Sequence, residues 1–452
     1  MRVLMFGWEF PPQISGGLGV ACEGLVRGLL QTGTEVVLVL PRHPYRKSTG
    51  RLRIIESLTA APGESPPRPA RPVVRLRRIG TRLKPYPDAG TESVVFETQT
   101  PPPVEPPTTP PNYGPNLATD VLRYAERAGE IARQERFDVI HAHDWMTFLA
   151  GLEARRVSGK PLVLHVHATE NDRAGDGGNP FVRDIERVGL AAADRVIAVS
   201  RYTARLVSGN YGVPRRRIRV VHNAIDANPG SSPTGLSGDE PLVLFAGRLT
   251  RQKGPDYFIE AAARVAREIP GVRFAVAGSG DRLPAIRERV AALGLRRTIL
   301  FTGFLPPAEL DRLYSRADVY VMPSVSEPFG LTALEALQHG TPVIVSRTAG
   351  VSEVVRNVLR VDFGNVEDLA SKILSVLMFS PLARALSQRG RREVRRLSWR
   401  ESAVRCLAVY EEILREARPA APVETTTLHR LRGSARPGQP LRASTRPTRI
   451  RT

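Results

Sequence analysis

Short aliphatic and β-branched runs alternate with amphipathic helical segments along most of the 452-residue chain, and this alternation limits the fold more than any other feature. The runs RVLMF (2–6) and EVVLVL (35–40) flank a helical pattern over 20–30 that is closed by Gly33. Strand and helix units repeated in this way form parallel sheets that helices cover on both faces. The sequence therefore predicts an α/β fold.

The alternation occurs in two series, and a stretch rich in Gly, Pro and Ser separates them at 226–241. A chain of this length exceeds the size at which single cores stop growing, so two domains are expected. We predict two Rossmann-like, doubly wound domains that face each other across a cleft: an N-terminal domain over 1–227, a linker over 228–240 and a C-terminal domain over 241–397. Ligands bind beyond the carboxyl ends of the strands in such sheets.

Three further segments stand apart from this pattern. Prolines crowd the region 44–116, which predicts an insertion with few regular elements. The amphipathic stretch 398–417 predicts a helix, with Ser398 as its N-cap. The segment 418–452 contains eight arginines and a single acidic residue, Glu424. This composition predicts a disordered basic tail.

Composition excludes several classes of protein. The run of apolar residues at the N-terminus is short and no small-residue cleavage site follows it, so we expect a first strand and no export signal. Cys22 and Cys406 lie too far apart in sequence to form a framework, which fits a reducing cytoplasm. The formal charge of +20 comes without a nucleic-acid recognition motif. We expect a cytoplasmic protein whose basic tail offers a contact to acidic lipid at the inner membrane surface or to a polyanion.

The turn between the first strand and the first helix reads SGGLG at 15–19. Glycines there allow the backbone to approach a ligand, and the N–H groups that open a helix attract phosphate. A tight turn without a ligand is the alternative. Because the turn is not G-x-G-x-x-G, a hydride-transfer enzyme is unsupported.

Four of the eight histidines follow two neighbouring strands, in HAHDW (141–145) and HVHATE (165–170). We expect His141 and His143 to point to opposite faces of the sheet, and His165 and His167 likewise, so that one of each pair reaches the cleft. Packing in the core is then the expected role of His141 and His165. A metal site is the alternative that the four imidazoles leave open.

The strongest chemical signal lies in the second series. Arg248 and Lys253 follow a strand, where two cations can neutralise a departing diphosphate. Glu327 lies at the end of a later strand, and Glu335 follows eight residues on, inside a helix that PFGLT opens. The N–H groups of that turn can hold phosphate, and a carboxylate such as Glu335 can accept from two ribose hydroxyls.

Taken in order, these motifs resemble those of the retaining glycosyltransferases of family 4, which have the two-lobed GT-B fold. The resemblance covers residues 1–417 and rests on E-x7-E, R-x4-K, GGLG, HDW and the histidine of HVHATE. It implies a metal-independent transfer without resident cofactor, in which the nucleotide-diphosphate sugar is a co-substrate. It also implies that the C-terminal helix crosses back to the first domain.

The family assigns roles to particular positions of this chain. Glu327 would face the donor sugar, His167 the transferred sugar and Asp144 the acceptor. Arg248 and Lys253 would stabilise the departing diphosphate. The donor-binding set comprises Gly16, Gly17, Arg248, Lys253, Phe329, Gly330, Leu331, Thr332 and Glu335.

Within the family, the motifs resemble those of the glycogen and starch synthases, although Ile14 stands where the bacterial glycogen synthases have a lysine. We predict transfer of a hexose, with glucose as first choice, from an ADP-, UDP- or GDP-sugar to a hydroxyl of a glycan or a small molecule. The alternatives are a GT-B phosphorylase, a sugar-nucleotide epimerase and a non-catalytic nucleotide-sugar-binding protein.

Overall fold

The computed structural model describes residues 1–11, 16–41, 52–54, 74–78, 117–226 and 240–416. Two parallel sheets organise these residues. The predicted tail and nearly all of the predicted linker lie outside them, as does most of the predicted insertion. Over 52–54 and 74–78 the structure describes the backbone alone.

The first sheet has eight strands in the order β3-β4-β2-β1-β5-β6-β7-β8, and every pairing is parallel. Its strands are β1 Arg2–Phe6, β2 Glu35–Leu40, β3 Leu52–Ile54, β4 Val74–Arg78, β5 Val139–His143, β6 Leu162–Val166, β7 Arg195–Ala198 and β8 Ile218–Val220. Its helices are α1 Gly17–Gln31, α2 Leu117–Gln134, α3 Trp145–Ser158, α4 Glu170–Ala174, α5 Pro180–Ala192 and α6 Arg201–Tyr211. We call this part of the chain the first lobe. The edge strand β3 and its neighbour β4 come from the segment predicted as an insertion.

The second sheet has six strands in the order β11-β10-β9-β12-β13-β14, again all parallel. Its strands are β9 Leu242–Ala246, β10 Arg273–Ala277, β11 Ile299–Gly303, β12 Val319–Met322, β13 Val343–Ser346 and β14 Leu359–Val361. Its helices are α7 Pro255–Glu268, α8 Leu283–Ala292, α9 Pro307–Arg316, α10 Leu331–Gln338, α11 Val366–Met378 and α12 Ser380–Val394. We call this part the second lobe. The prediction of two doubly wound units is thereby confirmed.

The last helix, α13 Trp399–Glu416, returns to the first lobe and packs on α1, as predicted. Ser398 caps it by accepting from the Glu401 N–H at 3.2 Å. Two glycines of α1 make the close approach feasible, since an added Cβ at Gly24 would lie 2.1 Å from the Trp399 ring and one at Gly28 would lie 2.3 Å from the Trp399 carbonyl oxygen. The C-terminal helix is therefore part of the core of the first lobe.

No single helix in the described ranges combines the length and the apolar character of a membrane span. Only α11 and α12 taken together do so, and these two helices meet at 96°.

Candidate active site

The centre of the site in the second lobe is an ion pair. Lys253 ends a short 3-10 turn after β9, Glu327 follows β12, and the Lys253 Nζ lies 2.6 Å from the Glu327 Oε2. Glu327 is buried, and the Ser324 hydroxyl also donates to its Oε2 at 3.1 Å. Gly254 permits this approach because its φ is 67° and a Cβ there would lie 2.2 Å from the Pro323 carbonyl oxygen. The structure thus joins two residues that the sequence placed in one site.

The other predicted cation, Arg248, lies half-buried in the loop that follows β9. Arg248 and Lys253 therefore both follow the carboxyl end of β9. Positive charge at the carboxyl ends of parallel strands suits a polyphosphate in the cleft.

A glycine turn brings the N-terminus of α10 to the cleft. Gly330 is the N-cap residue with φ 106°, and a Cβ there would lie 2.7 Å from the Met322 Cε. Phe329 before it is buried, and Leu331 and Thr332 form the first turn of the helix. The unpaired N–H groups of a first helical turn carry partial positive charge, so this end of α10 can hold an anion.

Glu335 lies one turn further along α10 and accepts a hydrogen bond from the Tyr314 hydroxyl, with 3.0 Å between Tyr314 Oη and Glu335 Oε2. Burial raises the pKa of Glu335 above its ordinary value, and Asp311 adds to this rise, whereas the Tyr314 hydrogen bond opposes it. Sequence reasoning missed Tyr314, whose partner is 21 residues away on another helix.

The glycine turn of the first lobe faces α10 of the second. A Cβ on Gly17 would lie 3.7 Å from the Leu331 Cδ1, whereas nothing lies within 4 Å of a Cβ on Gly16. Both glycines are exposed at the start of α1. The structure therefore places the two predicted phosphate-binding turns on opposite sides of one cleft.

The four histidines form a compact square, which corrects the prediction that each pair points to opposite faces. His141 stacks on His143 with ring centroids 4.4 Å apart, and His165 stacks on His167 at 4.3 Å. Residues two apart on a strand share a face, so the error lay in the period applied to the strands. Burial lowers the pKa of His141 and of His167 to about 3 and that of the other two well below the ordinary value.

Ring nitrogens of His141, His143 and His165 lie within 4.8 Å of one another. The rings of His141 and His143 are nearly parallel, at 13°, so their lone pairs lie in separate planes and do not aim at one tetrahedral ion. His141 is also bonded through Nδ1 to the Tyr410 hydroxyl and through Nε2 to His165 at 3.2 Å. The geometry favours a packed aromatic cluster, as predicted for His141 and His165.

Asp144 holds the loop that carries His167. Its Oδ1 accepts from the backbone N–H groups of His167 at 2.7 Å and Ala168 at 3.3 Å. Among the described residues, Asp144 is the one non-glycine residue with positive φ, at 56°. Burial raises the pKa of Asp144 to about 6, although Arg173 and the two backbone hydrogen bonds act in the opposite direction. The positive φ of Asp144 costs about 1–3 kcal/mol, and such backbone strain persists where the surroundings fix the residue.

Contacts between the lobes involve residues that the sequence did not single out. The Ser326 hydroxyl donates to the Asp172 Oδ1 at 2.5 Å, and Tyr202 Oη lies 2.9 Å from the same Ser326 Oγ. Asp172 also completes a capping box with Thr169 at the start of α4. The spacing of Thr169 and Asp172 was the signal available in the sequence.

A second contact between the lobes involves Glu353. Its carboxylate accepts from the N–H groups of Arg201 at 2.8 Å and Tyr202 at 3.0 Å, the first residues of α6. His222 Nε2 lies 2.8 Å from Glu353 Oε2. Burial alone would raise the pKa of Glu353, but these hydrogen bonds outweigh it and hold the pKa below its ordinary value.

Comparison with known proteins agrees with this geometry. Residues 86–228 match the family described as Glycosyltransferase Family 4, and residues 231–393 match the family described as Glycosyl transferases group 1. The chain is similar to the glycogen synthase of Mycobacterium tuberculosis, with 30% identity over 367 residues that cover 79% of this chain and 80% of that protein.

It is also similar to the D-inositol 3-phosphate glycosyltransferase of Acidothermus cellulolyticus, with 36% identity over 312 residues, 63% of this chain and 69% of the relative. The Anabaena protein HepE, solved in complex with UDP-glucose, shares the fold with a TM-score of 0.60 and 17% identity, covering 92% of this chain and all of that one. The chain belongs to the family 4, group 1 glycosyltransferases, which are retaining enzymes with the GT-B fold.

Proposed function

We propose that this glycosyltransferase moves glucose from a nucleotide-diphosphate glucose to a hydroxyl group of a glycan, with retention of anomeric configuration. The observation that carries the proposal is the Lys253–Glu327 ion pair, 2.6 Å long, beside the N-terminus of α10. The same fold in a protein solved with UDP-glucose supports a glucose donor. The similarity to a glycogen synthase supports a glycan acceptor.

The charges of the second lobe suit departure of a diphosphate. As the bond between the anomeric carbon and the phosphate oxygen breaks, negative charge grows on the leaving group. Arg248, Lys253 and the first turn of α10 provide positive charge where strands β9 and β12 end. Charge that is fixed in advance stabilises such a transition state more than it stabilises the bound donor.

Two carboxylates of the predicted site, Glu327 and Asp144, are each held by partners through one oxygen. Glu327 is paired with Lys253 and Ser324, and the Asp144 Oδ1 is occupied by two backbone N–H groups. These contacts support a front-face displacement. The acceptor oxygen bonds to the anomeric carbon on the side that the phosphate leaves, and the acceptor proton passes to the departing phosphate oxygen.

The test is transfer from UDP-, ADP- and GDP-glucose to short α-glucans by wild type, Lys253→Ala and Lys372→Ala. Lys372 is a matched control because it is also paired with a carboxylate, Asp368, and its side chain is 25% exposed against 22% for Lys253. We expect Lys253→Ala to lose about 100-fold or more in turnover and the control to stay near wild type. Turnover within a few-fold of wild type in Lys253→Ala would refute the assignment.

A thermal-shift panel with the same three donors identifies the base. A donor present at about 100 times its dissociation constant stabilises the folded chain by about 2.7 kcal/mol. Stabilisation by one donor together with transfer to inositol phosphate but not to glucans would replace the glycan acceptor with a small one.

A further inference from the structure

Two tyrosines lie behind the donor side of the second lobe. Tyr314 on α9 and Tyr320 on β12 are both fully buried, and their rings meet edge to face at 5.7 Å and 76°. Tyr314 Oη lies 3.0 Å from the Glu335 carboxylate, whereas Tyr320 Oη lies 2.8 Å from the Thr332 hydroxyl. The two side chains share their surroundings, and only Tyr314 bonds to Glu335.

The neighbours of Tyr314 fix its position. His339 stacks on its ring at 5.8 Å and 29°, and the Thr341 hydroxyl donates to its backbone carbonyl at 2.5 Å. His339 also lies 2.9 Å from the Glu335 carbonyl oxygen through Nδ1. A hydroxyl held this firmly loses little further freedom when it donates to a carboxylate.

A glutamate carboxylate rotates readily about χ3, because the distribution of this angle is broad in the absence of a partner. The hydrogen bond to Oε2 removes that freedom and aims the second oxygen, Oε1, in one direction. Tyr314 also opposes the rise in pKa that burial and Asp311 impose on Glu335. An ionised carboxylate is an acceptor only, and this is what two hydroxyl donors require.

We propose that Tyr314 is a positioning residue that fixes the Glu335 carboxylate to read both hydroxyls of a ribose, so that the chain discriminates ribonucleotides from 2′-deoxyribonucleotides through Tyr314. The proposal rests on the proposed function and on the prediction from the sequence that Glu335 accepts from the ribose hydroxyls of the donor. A carboxylate in a single orientation accepts from two adjacent hydroxyls, and removal of one leaves an acceptor unpaired. A freely rotating carboxylate re-aims toward the remaining hydroxyl and discriminates less.

The experiment measures dissociation constants of UDP and 2′-deoxy-UDP by calorimetry, with the corresponding ADP and GDP pairs in parallel. Wild type, Tyr314→Phe and Tyr320→Phe are compared. We expect wild type to bind the ribonucleotide of one base about 10-fold or more tightly than its 2′-deoxy form. This is the size of effect that the loss of a hydrogen bond to a charged group produces. We expect Tyr314→Phe to reduce the preference to about 3-fold or less and Tyr320→Phe to retain the wild-type ratio.

Two further variants separate positioning from general damage. In Glu335→Ala no side-chain acceptor remains for the Tyr314 hydroxyl, so adding Tyr314→Phe should leave the ratio unchanged, whereas a merely structural loss would lower the affinity for both nucleotides further. His339→Gln removes the ring that supports Tyr314 and is expected to lower the ratio in the same direction. It also replaces Tyr314→Phe if that variant does not fold.

The outcomes are distinguishable. An unchanged ribo-to-deoxyribo ratio in Tyr314→Phe overturns the role of Tyr314 while the proposed function stands. A wild type that binds both forms equally also overturns it, since Glu335 then does not read the 2′-hydroxyl. A wild type that binds no uridine, adenosine or guanosine nucleotide refutes the proposed function itself.

Discussion

The Ser326 hydroxyl of the second lobe donates a hydrogen bond of 2.5 Å to the Asp172 carboxylate of the first lobe. Ser326 directly precedes Glu327 in the sequence. Both groups are buried, and the capping box of α4 holds the acceptor in place. The contact therefore links the orientation of the lobes to the residue that pairs with Lys253. Hydrogen bonds to charged groups contribute about 1.5–3 kcal/mol, so this one is strong enough to affect catalysis.

We expect Ser326→Ala and Asp172→Asn each to lower kcat/KM by about 10-fold, and the double variant to be little worse than either single one. The non-additivity is expected because the single amide oxygen that Asp172→Asn leaves stays with the two Thr169 donors, which turns the amide NH2 toward Ser326 and removes the same bond that Ser326→Ala removes. Steady-state kinetics of the three variants provide the measurement. Ser371→Ala, on the exposed face of α11, is the control and should match wild type. Fully additive losses would show that the two residues act separately.

The histidine square predicts a specific loss of stability in acid. A histidine whose pKa is 6.5 when unfolded and about 3 when folded, as for His141, takes up a proton on unfolding between these values. Its stability contribution is complete above pH 6.5 and is lost as the pH falls toward 3. Asp144 acts with the opposite sign between pH 3.8 and about 6, because its pKa is raised on folding.

Comparison of a variant with wild type isolates the histidine. Between about pH 7.5 and about pH 5, the free energy of unfolding should fall by about 2 kcal/mol less in His141→Phe than in wild type. Urea unfolding at the two pH values measures this difference. Tyr410→Phe removes the hydroxyl that bonds His141 but leaves the imidazole, so it should keep the wild-type pH dependence. Equal slopes for His141→Phe and wild type would contradict the prediction.

Gly330 should not tolerate a side chain. Its φ of 106° strains any L-residue, and the added Cβ would lie 2.7 Å from Met322. We expect Gly330→Ala to weaken donor binding by about 10-fold or more, because the first turn of α10 must shift. Gly209→Ala is the control, since nothing lies within 4 Å of a Cβ there and α6 is regular at that point. Gly209→Ala should leave donor affinity unchanged and the stability equal to wild type or slightly higher. Calorimetric titration of each variant with the donor measures the affinities.

Trp399 anchors the returning helix α13. The side chain is buried against Gly24, so Trp399→Ala should cost about 3–5 kcal/mol and expose α13 to proteases. Val404→Ala on the same helix starts from a side chain that is 46% exposed and should cost less than about 0.5 kcal/mol. Thermal unfolding with limited proteolysis measures both. Indistinguishable melting and cleavage would mean that α13 does not depend on this contact.

Much of the architecture could be predicted because the central strands are apolar on both faces. Glu35–Leu40 is buried from its second residue on, and its sequence is a continuous β-rich run. The sequence pattern for helix α6 is weak, because only Thr203 and Val207 are buried along its eleven residues. The amphipathic stretch 398–417, in contrast, predicts the returning helix α13.

The site divides in the same way between local and distant information. The strand-end argument brought Lys253 and Glu327 together, although 74 residues separate them. Contacts such as Asp172–Ser326, separated by 154 residues, arise only when the two lobes dock, and no spacing in the sequence encodes them. The histidine faces, in contrast, were predictable from the two-residue period of a strand.

The return of α13 to the first lobe has a mechanical consequence. The chain passes from one lobe to the other twice, between Val220 and Leu242 and again between Val394 and Trp399. Two covalent connections between the lobes define a hinge axis. Rotation about the line through them is easier than sliding or separation of the lobes. We therefore expect substrate exchange to proceed by rotation of the lobes about this line, with the largest displacement at the rim of the cleft farthest from the two connections.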